Sequence, residues 1–263
     1  MGEQKNLLLA ILVSLLVLLG FQLMFPSDKT PNNKPITNSN VSENIKPFPE
    51  LNEEINKPRE EIINESKRIT INNSLIEGSL SLAGARIDDI ILKNYFETLK
   101  EDSDYIKLLS PKGTNNSYFV EHGWLTGNNS DIKLPNSKTI WNSNNSKISP
   151  NSVTKLTWDN GEGLVFERTI SLDKEYMFEI TQTVINNSNK DITLYPYGII
   201  NREGYPKLSG LYILHEGPIG VLNNRLQEID YDDLEDNNKI SEKSSNGWIG
   251  ITDKYWLTAL IPD

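Results

Sequence analysis

The chain lacks cysteine entirely and contains only two histidines among its 263 residues. Without cysteine it can form no disulfide, no thiolate metal site and no cysteine nucleophile. The histidines, His122 and His215, lie too far apart in sequence for a His-x-His or His-x-x-x-His pair, and a metal site needs three or four converging ligands. The sequence therefore predicts no metal-binding and no cofactor-binding residue.

Catalytic motifs are equally scarce. There is no Gly-x-Ser-x-Gly sequence and no phosphate-binding glycine loop. His215 precedes Glu216 and could form a general base with it, and His122 follows Glu121, but a strand end beside a solvated turn gives the same pattern. Among 36 acidic residues, a chance pair of glycosidase-like carboxylates carries no information. We predict no catalytic residue and no enzymatic activity.

Positive charge is in short supply. The chain has 26 basic and 36 acidic side chains, and residues 67–263 alone have 20 basic and 27 acidic ones. Nucleic acid binding needs a basic surface that neutralises phosphates, so the sequence argues against a nucleic acid partner. The same balance argues against a domain that lies flat on an anionic membrane surface.

One long hydrophobic run is present. It begins at Leu7, ends at Phe25 and contains no charge. A helix of this length spans about 28 Å, close to the ~30 Å hydrocarbon core of a bilayer. A cleaved signal peptide has a shorter apolar core and a small-residue cleavage site, which residues 22–26 do not offer, and a buried core helix would be amphipathic. We predict a transmembrane helix at residues 7–25 that binds the lipid bilayer.

The flanking segments complete the predicted organisation. Charges on the two sides of the run are nearly balanced, so the positive-inside rule does not set its orientation. The polypeptide that follows residues 7–25 is much longer than the one that precedes them. This favours export of the following part, with residues 1–6 as a cytoplasmic tail. Residues 26–66 contain six prolines among polar residues. Such a segment buries too little apolar surface to order itself, so we predict a disordered, flexible linker.

From Arg68 onward, short alternating segments predict β-strands separated by turns. The clearest stretch, residues 153–197, predicts a four-stranded antiparallel meander with one buried face. Its first hairpin turn is Asp159–Gly161, and Arg168 interrupts an apolar face formed by Leu164, Phe166, Ile170 and Leu172. Further strands are predicted at 211–214, 248–251 and 255–261, and an exposed loop or short helix at 227–238. The fold class is mainly β, a large antiparallel sandwich over residues 67–263.

Aromatic residues concentrate near the carboxyl-terminal end, at Trp248, Tyr255 and Trp256. Alternation in residues 255–261 places bulky side chains on both faces. This pattern predicts a central strand that packs on two sides, with Trp256 in the core. An exposed docking surface is the alternative.

Several segments together resemble the periplasmic domain of the YidC membrane protein insertase family, in its α-proteobacterial branch. The resemblance is most specific at Gly247–Trp248, 252–256 and 260–262, with further similarity at 82–95, 195–198, 215–220 and 231–234. It covers essentially the whole chain and implies a mutarotase-like β-super-sandwich in the periplasm. It also implies an inner-membrane location with a cytoplasmic amino terminus.

In function, the resemblance implies part of an insertase and chaperone that inserts, folds and assembles nascent inner-membrane proteins, alone or with the Sec translocon. The family's five-helix insertase bundle is absent from these residues, so the chain is expected to be an amino-terminal fragment or a truncated reading frame, which anchors and docks without catalysis. Two alternatives stay open. One is a membrane-anchored carbohydrate-binding or mutarotase-like periplasmic protein, and the other is an exported binding protein unrelated to insertion.

Overall fold

The computed structural model describes residues 56–263 except 101, 128–130, 205–214, 238 and 254, together with six positions between residues 5 and 16. Those six positions are helical and exposed. Most of the predicted transmembrane helix, most of the predicted linker and the predicted strand at 211–214 lie outside the described residues. No helix among the described residues combines the length and hydropathy that crossing a bilayer requires. The chain divides after residue 43 into two units, and the fold below is that of the second.

The second unit is built mostly of strands, with two short helices. The helices are α1 (Arg59–Glu65) and α2 (Tyr231–Asn237). The strands are β1 (Arg68–Asn72), β2 (Ile76–Ser81), β3 (Arg86–Phe96), β4 (Tyr105–Leu109), β5 (Tyr118–Thr126), β6 (Asn142–Ser143), β7 (Lys147–Ile148), β8 (Val153–Asp159), β9 (Leu164–Leu172), β10 (Phe178–Asn186), β11 (Leu194–Arg202), β12 (Glu216–Leu222), β13 (Arg225–Glu228), β14 (Gly247–Asp253) and β15 (Trp256–Leu260).

The strands form three sheets. The large sheet has the order β11-β5-β3-β2-β1-β7, with β4 also paired to β3. The second sheet has the order β10-β9-β8-β6, and the third has the order β13-β12-β14-β15. Only the β1–β7 pairing is parallel among the pairings of the described strands. The prediction of a mainly β, antiparallel fold is confirmed.

The core lies where the second sheet packs on the large sheet. Alternate residues of β9 are buried from one end of the strand to the other, as its sequence pattern predicts. Phe166 packs edge-on against Trp124 of β5, with 5.1 Å between the ring centres. The predicted turn after β8 is also present, and Gly161 supplies its positive φ of 76°. Burial of these large side chains is what holds the two sheets together.

The predicted four-stranded meander is wrong in its last strand. Strands β8, β9 and β10 do form a meander. The fourth segment, β11, leaves the second sheet and pairs with β5 at the edge of the large sheet, with Gly198 opposite His122. Alternation identifies which face of a strand is buried, but it does not identify the neighbouring strand.

The prediction of a central strand at 255–261 is also wrong. Among the described strands, β15 pairs only with β14 and is therefore the edge of the third sheet. Tyr255 is 70% exposed and Leu257 is 49% exposed, whereas Trp256 is half-buried. The bulky side chains on the second face of β15 border a cleft instead of packing against a second layer.

The remaining short elements lie on the surface. Helix α2 lies in the acidic stretch for which a loop or short helix is predicted, and it has no buried residue. Helix α1 lies inside the segment assigned to the linker, 26–66. The side chain of Arg59 forms an ion pair with the buried carboxylate of Asp89 on β3, which fixes this helix to the large sheet.

Candidate docking cleft

A cleft opens where the second and third sheets diverge over the large sheet. Its volume is about 500 Å³, within the range of about 300–1,000 Å³ typical of ligand sites. The large sheet forms the floor with side chains of β2, β3, β4 and β5. One wall is formed by Tyr176, Met177, Phe178 and Ile180, at and just before the start of β10, and the other by residues 255–261, in and beside β15.

The cleft is apolar and uncharged. Twenty of the described residues line it, and none of these is Asp, Glu, Lys or Arg. The aromatic side chains are Tyr95, Tyr176, Phe178, Tyr255 and Trp256. Trp256 packs edge-on against Tyr95, with 4.8 Å between ring centres. The ring of Trp256 therefore packs on the large sheet and also borders the open cleft.

His122 lies on the cleft floor, and no carboxylate among the described residues bonds to its ring. Burial, with a smaller contribution from the charge of Arg168, lowers the pKa of its imidazole to about 4, so the ring is neutral at pH 7. Its sequence neighbour Glu121 bonds elsewhere. The Glu121 carboxylate accepts a 3.1 Å hydrogen bond from Arg86 Nε and a 3.5 Å one from the Tyr197 hydroxyl. Glu121 and His122 are adjacent in sequence, but they do not form a catalytic pair.

His215 lies outside the set of residues that line the cleft. Its Nδ1 is 3.5 Å from Asp230 Oδ1, and its Nε2 is 3.0 Å from the carbonyl oxygen of Pro218. The Asp230 carboxylate is exposed, and Glu216 sits on β12 opposite Asp253. Neither histidine joins a carboxylate inside the cleft, so its described residues provide no proton-transfer pair for a mutarotase-like reaction.

Metal-binding clusters are likewise not found in the described part of the chain. No group of three or more histidine, cysteine, aspartate or glutamate side chains converges there. The cleft is large enough to bury part of an apolar partner. Its described residues provide apolar surface and no reacting groups.

A buried arginine below the cleft is the feature that sequence reasoning missed. Arg168 of β9 appears in the sequence only as an interruption of an apolar face. In the structure its Nη1 donates to the Ala85 carbonyl (2.8 Å) and its Nη2 to the His122 carbonyl (2.6 Å). Its guanidinium carbon lies 5.0 Å from the centre of the Trp141 ring and 5.8 Å from that of Trp124. The sequence did contain one indication of this role, the position of Arg168 on the apolar face of an alternating strand. A charge on a buried face needs buried partners.

Burial lowers the pKa of Arg168 to about 10, and the nearby charge of Glu121 opposes that shift. The side chain therefore remains cationic at pH 7, held by two carbonyl oxygens and two indole rings. It connects the second sheet to the large sheet at His122, a residue of the cleft floor.

Comparison with known proteins identifies the fold's relatives. The family model of the YidC periplasmic domain matches residues 68–263. A protein named membrane protein insertase YidC from Rickettsia canadensis is 41% identical over 265 residues, covering 98% of this chain and 46% of the relative. The Rickettsia prowazekii protein of that name is 40% identical with the same coverage. The one from Bradyrhizobium diazoefficiens is 46% identical over 206 residues, covering 78% of this chain and 33% of the relative.

The chain spans about half the length of the curated relatives it matches most fully. The family match begins at the first residue of β1, continues through all three sheets and ends at Asp263. The chain therefore belongs to the YidC periplasmic domain family, in its α-proteobacterial branch.

Proposed function

We propose that this chain is the amino-terminal part of a membrane protein insertase, and that its β-domain is a non-catalytic docking module. The observation that carries the proposal is the family match over residues 68–263, together with relatives that bear the insertase name and are about 40% identical over nearly the whole chain. The apolar, uncharged cleft without a proton-transfer pair agrees with a binding role rather than a catalytic one.

In this proposal residues 7–25 cross the bacterial inner membrane and residues 1–6 remain in the cytoplasm. The segment that follows places the β-domain in the periplasm. The ~30 residues between residue 25 and helix α1, as a flexible chain, have an end-to-end distance on the order of 30 Å, enough to hold the domain clear of the headgroups. The partners are nascent inner-membrane proteins and components of the Sec translocon.

A chimera tests the insertase role. This chain replaces the corresponding portion of the Rickettsia canadensis relative, and the product is expressed in a Gram-negative bacterium depleted of its own insertase. We expect growth and membrane insertion of a reporter to recover to the level of the intact relative. If the chimera reaches the membrane in equal amount but inserts no reporter, this portion does not perform the role proposed for it.

Crosslinking tests the partners. Because the chain has no cysteine, a single cysteine introduced at an exposed position carries a photoreactive group without background. We expect crosslinks from such positions on the β-domain to Sec components in intact membranes. Crosslinks to a soluble periplasmic protein, and none to Sec components, would instead favour an anchored binding protein unrelated to insertion.

A further inference from the structure

Two Asn–Gly sequences occur in the chain, Asn160–Gly161 and Asn246–Gly247. An asparagine that precedes glycine is prone to spontaneous loss of its side-chain amide, because glycine has no Cβ atom to shield its backbone nitrogen from the neighbouring carboxamide. The reaction is intramolecular, so its rate depends on whether the fold lets the two groups meet. The structure places the two sequences in opposite environments.

The first Asn–Gly sequence is held by hydrogen bonds. Asn160 is 3% exposed. Its Oδ1 accepts hydrogen bonds from the backbone nitrogens of Glu162 (2.7 Å) and Leu164 (3.0 Å). The N–H of Gly161 donates to Asp159 Oδ1 (2.8 Å). Neither the carboxamide nor the glycine nitrogen can turn towards the other without breaking these bonds.

The carboxamide of Asn246, in contrast, is exposed and forms no hydrogen bond with any described residue. The backbone of the same residue is held in place. Its N–H donates to Ser244 Oγ (3.3 Å), and the same oxygen accepts a 2.9 Å hydrogen bond from the backbone nitrogen of Asn223. The side chain therefore rotates in solvent beside a backbone whose position is set.

The backbone nitrogen of Gly247 is not engaged in a strand pairing. Gly247 lies opposite Leu222 of β12. Leu222 also pairs with Arg225 across a two-residue turn, and the residues that flank such a turn exchange their backbone hydrogen bonds with each other. The N–H of Gly247 therefore points away from β12, towards the side of β15. Because the pairing of β14 with β15 begins only at Ile249 and Leu260, this N–H has no backbone acceptor among the described residues.

We propose that Asn246 is a site of spontaneous deamidation in the folded domain. The backbone nitrogen of Gly247 attacks the carboxamide carbon of Asn246, and the side-chain nitrogen leaves as ammonia with the proton that the backbone nitrogen gives up. Water then opens the resulting succinimide ring. Opening at one carbonyl carbon gives aspartate, and opening at the other gives isoaspartate, in which the main chain runs through the side-chain carbons.

The isoaspartate product changes the start of β14. It lengthens the main chain by one carbon atom directly before Gly247. The pairing with β12 is tight at this point, since even a Cβ atom on Gly247 would lie 1.8 Å from the carbonyl oxygen of Val221. The added atom therefore displaces either the contact of Asn246 with Ser244 or the pairing of Trp248 with Val221. Deamidation thus loosens the third sheet as the protein ages.

Peptide mass spectrometry on the full chain in detergent micelles tests the assignment. The chain is kept at pH 8, sampled over days and digested with trypsin, which releases residues 244–254 and 156–168 as separate peptides. Deamidation replaces NH2 by OH and so changes the peptide mass. We expect the peptide with Asn246 to convert at least tenfold faster than the peptide with Asn160 in the folded chain, and the two rates to agree within threefold in urea. Equal rates in the folded chain, or conversion of Asn246 only in urea, would overturn the proposal.

Asn246→Gln is the matched control, because the longer side chain must close a larger ring and therefore reacts far more slowly. We expect this variant to show no conversion at residue 246 over the same period. In the aged wild type, the isoaspartate form should exchange the Trp248 N–H with solvent at least tenfold faster than the equally aged Asn246→Gln variant does. Equal exchange would overturn the effect proposed for β14, and conversion of the variant at the wild-type rate would overturn the mechanism.

Discussion

Arg168 donates a 2.8 Å hydrogen bond from Nη1 to the backbone oxygen of Ala85, across the interface between the second and large sheets. Ala85 has a positive φ of 51°, a left-handed conformation uncommon for residues other than glycine. It is buried in the turn that leads into β3. The buried cation thus satisfies the carbonyl of a turn whose backbone conformation points that oxygen into the core.

The Arg168→Met variant tests this role. Methionine keeps an unbranched apolar side chain but leaves the carbonyl oxygens of Ala85 and His122 without their donor. Relief from burying a charge offsets part of that loss. We expect a net decrease of about 2–4 kcal/mol in the free energy of unfolding, measured by urea denaturation. The control is Lys155→Met, because Lys155 forms a partly exposed ion pair with Glu167 on the same sheet, and it should cost less than about 1 kcal/mol. Equal costs would show that Arg168 is not a structural connection.

The pH dependence of stability should report the buried imidazole of His122. The pKa of this group falls from 6.5 to about 4 on folding, mainly because of burial. Below pH 6.5 the unfolded chain therefore binds a proton that the folded chain does not, so stability decreases as the pH falls towards 4. We expect the wild type to lose roughly 2 kcal/mol relative to His122→Gln between pH 7 and pH 5.

Proton binding at His122 can also be followed directly. In the native state, the NMR signals of the His122 ring should not titrate between pH 7 and pH 5. A titration midpoint near pH 6.5 would contradict the burial that the structure gives this residue.

The ring pair at the cleft predicts an energetic coupling. Trp256 is half-buried and packs edge-on against Tyr95, so its truncation removes less buried surface than a fully enclosed indole would. We expect Trp256→Ala to cost about 1.5–3 kcal/mol, below the ~3–5 kcal/mol of a core tryptophan. A double-mutant cycle with Tyr95→Ala should give a coupling of about 0.5–1.5 kcal/mol. Additive effects would show that the rings do not contact each other in solution.

Gly247, at the start of β14, should tolerate no side chain. Its φ is 120°, and a Cβ atom there would lie 1.8 Å from the carbonyl oxygen of Val221. Gly161 also has a positive φ, 76°, but a Cβ there would meet no atom within 4 Å. We expect Gly161→Ala to cost about 1 kcal/mol from backbone strain alone. Gly247→Ala should cost at least about 2 kcal/mol more, because the β12–β14 pairing must open to admit the methyl group. Equal costs in thermal unfolding would contradict this close approach.

Periodicity predicted the strands better than it predicted their neighbours. The alternation in β9 identified the buried face, including the position of Arg168, and the turn at Gly161 followed from residues that accept positive φ. The position of β11 did not follow, because a strand's own side chains carry no record of which edge it joins. The partners of Arg168 lie far away in sequence at Ala85 and His122, so pattern reasoning could not supply them.

The cleft was not predictable from the sequence for a related reason. It is bounded by three sheets, and bulky residues on both faces of 255–261 predicted burial between two layers. In the structure the second face borders the cleft, and Leu257 remains 49% exposed. Whether apolar bulk is buried or borders an opening depends on where the second sheet ends, which is a tertiary property.

Thiol labelling in whole cells tests the central proposal, a domain held outside the inner membrane by residues 7–25, most directly. Single cysteines are introduced into the cysteine-free chain at Gly2 and at the exposed Glu162 in the turn between β8 and β9. A maleimide that crosses the outer but not the inner membrane should label Glu162→Cys in intact cells and Gly2→Cys only after lysis, with both products in the membrane fraction. Labelling of Glu162→Cys only after lysis, or recovery of the labelled domain as a soluble periplasmic product that lacks residues 7–25, would contradict the account.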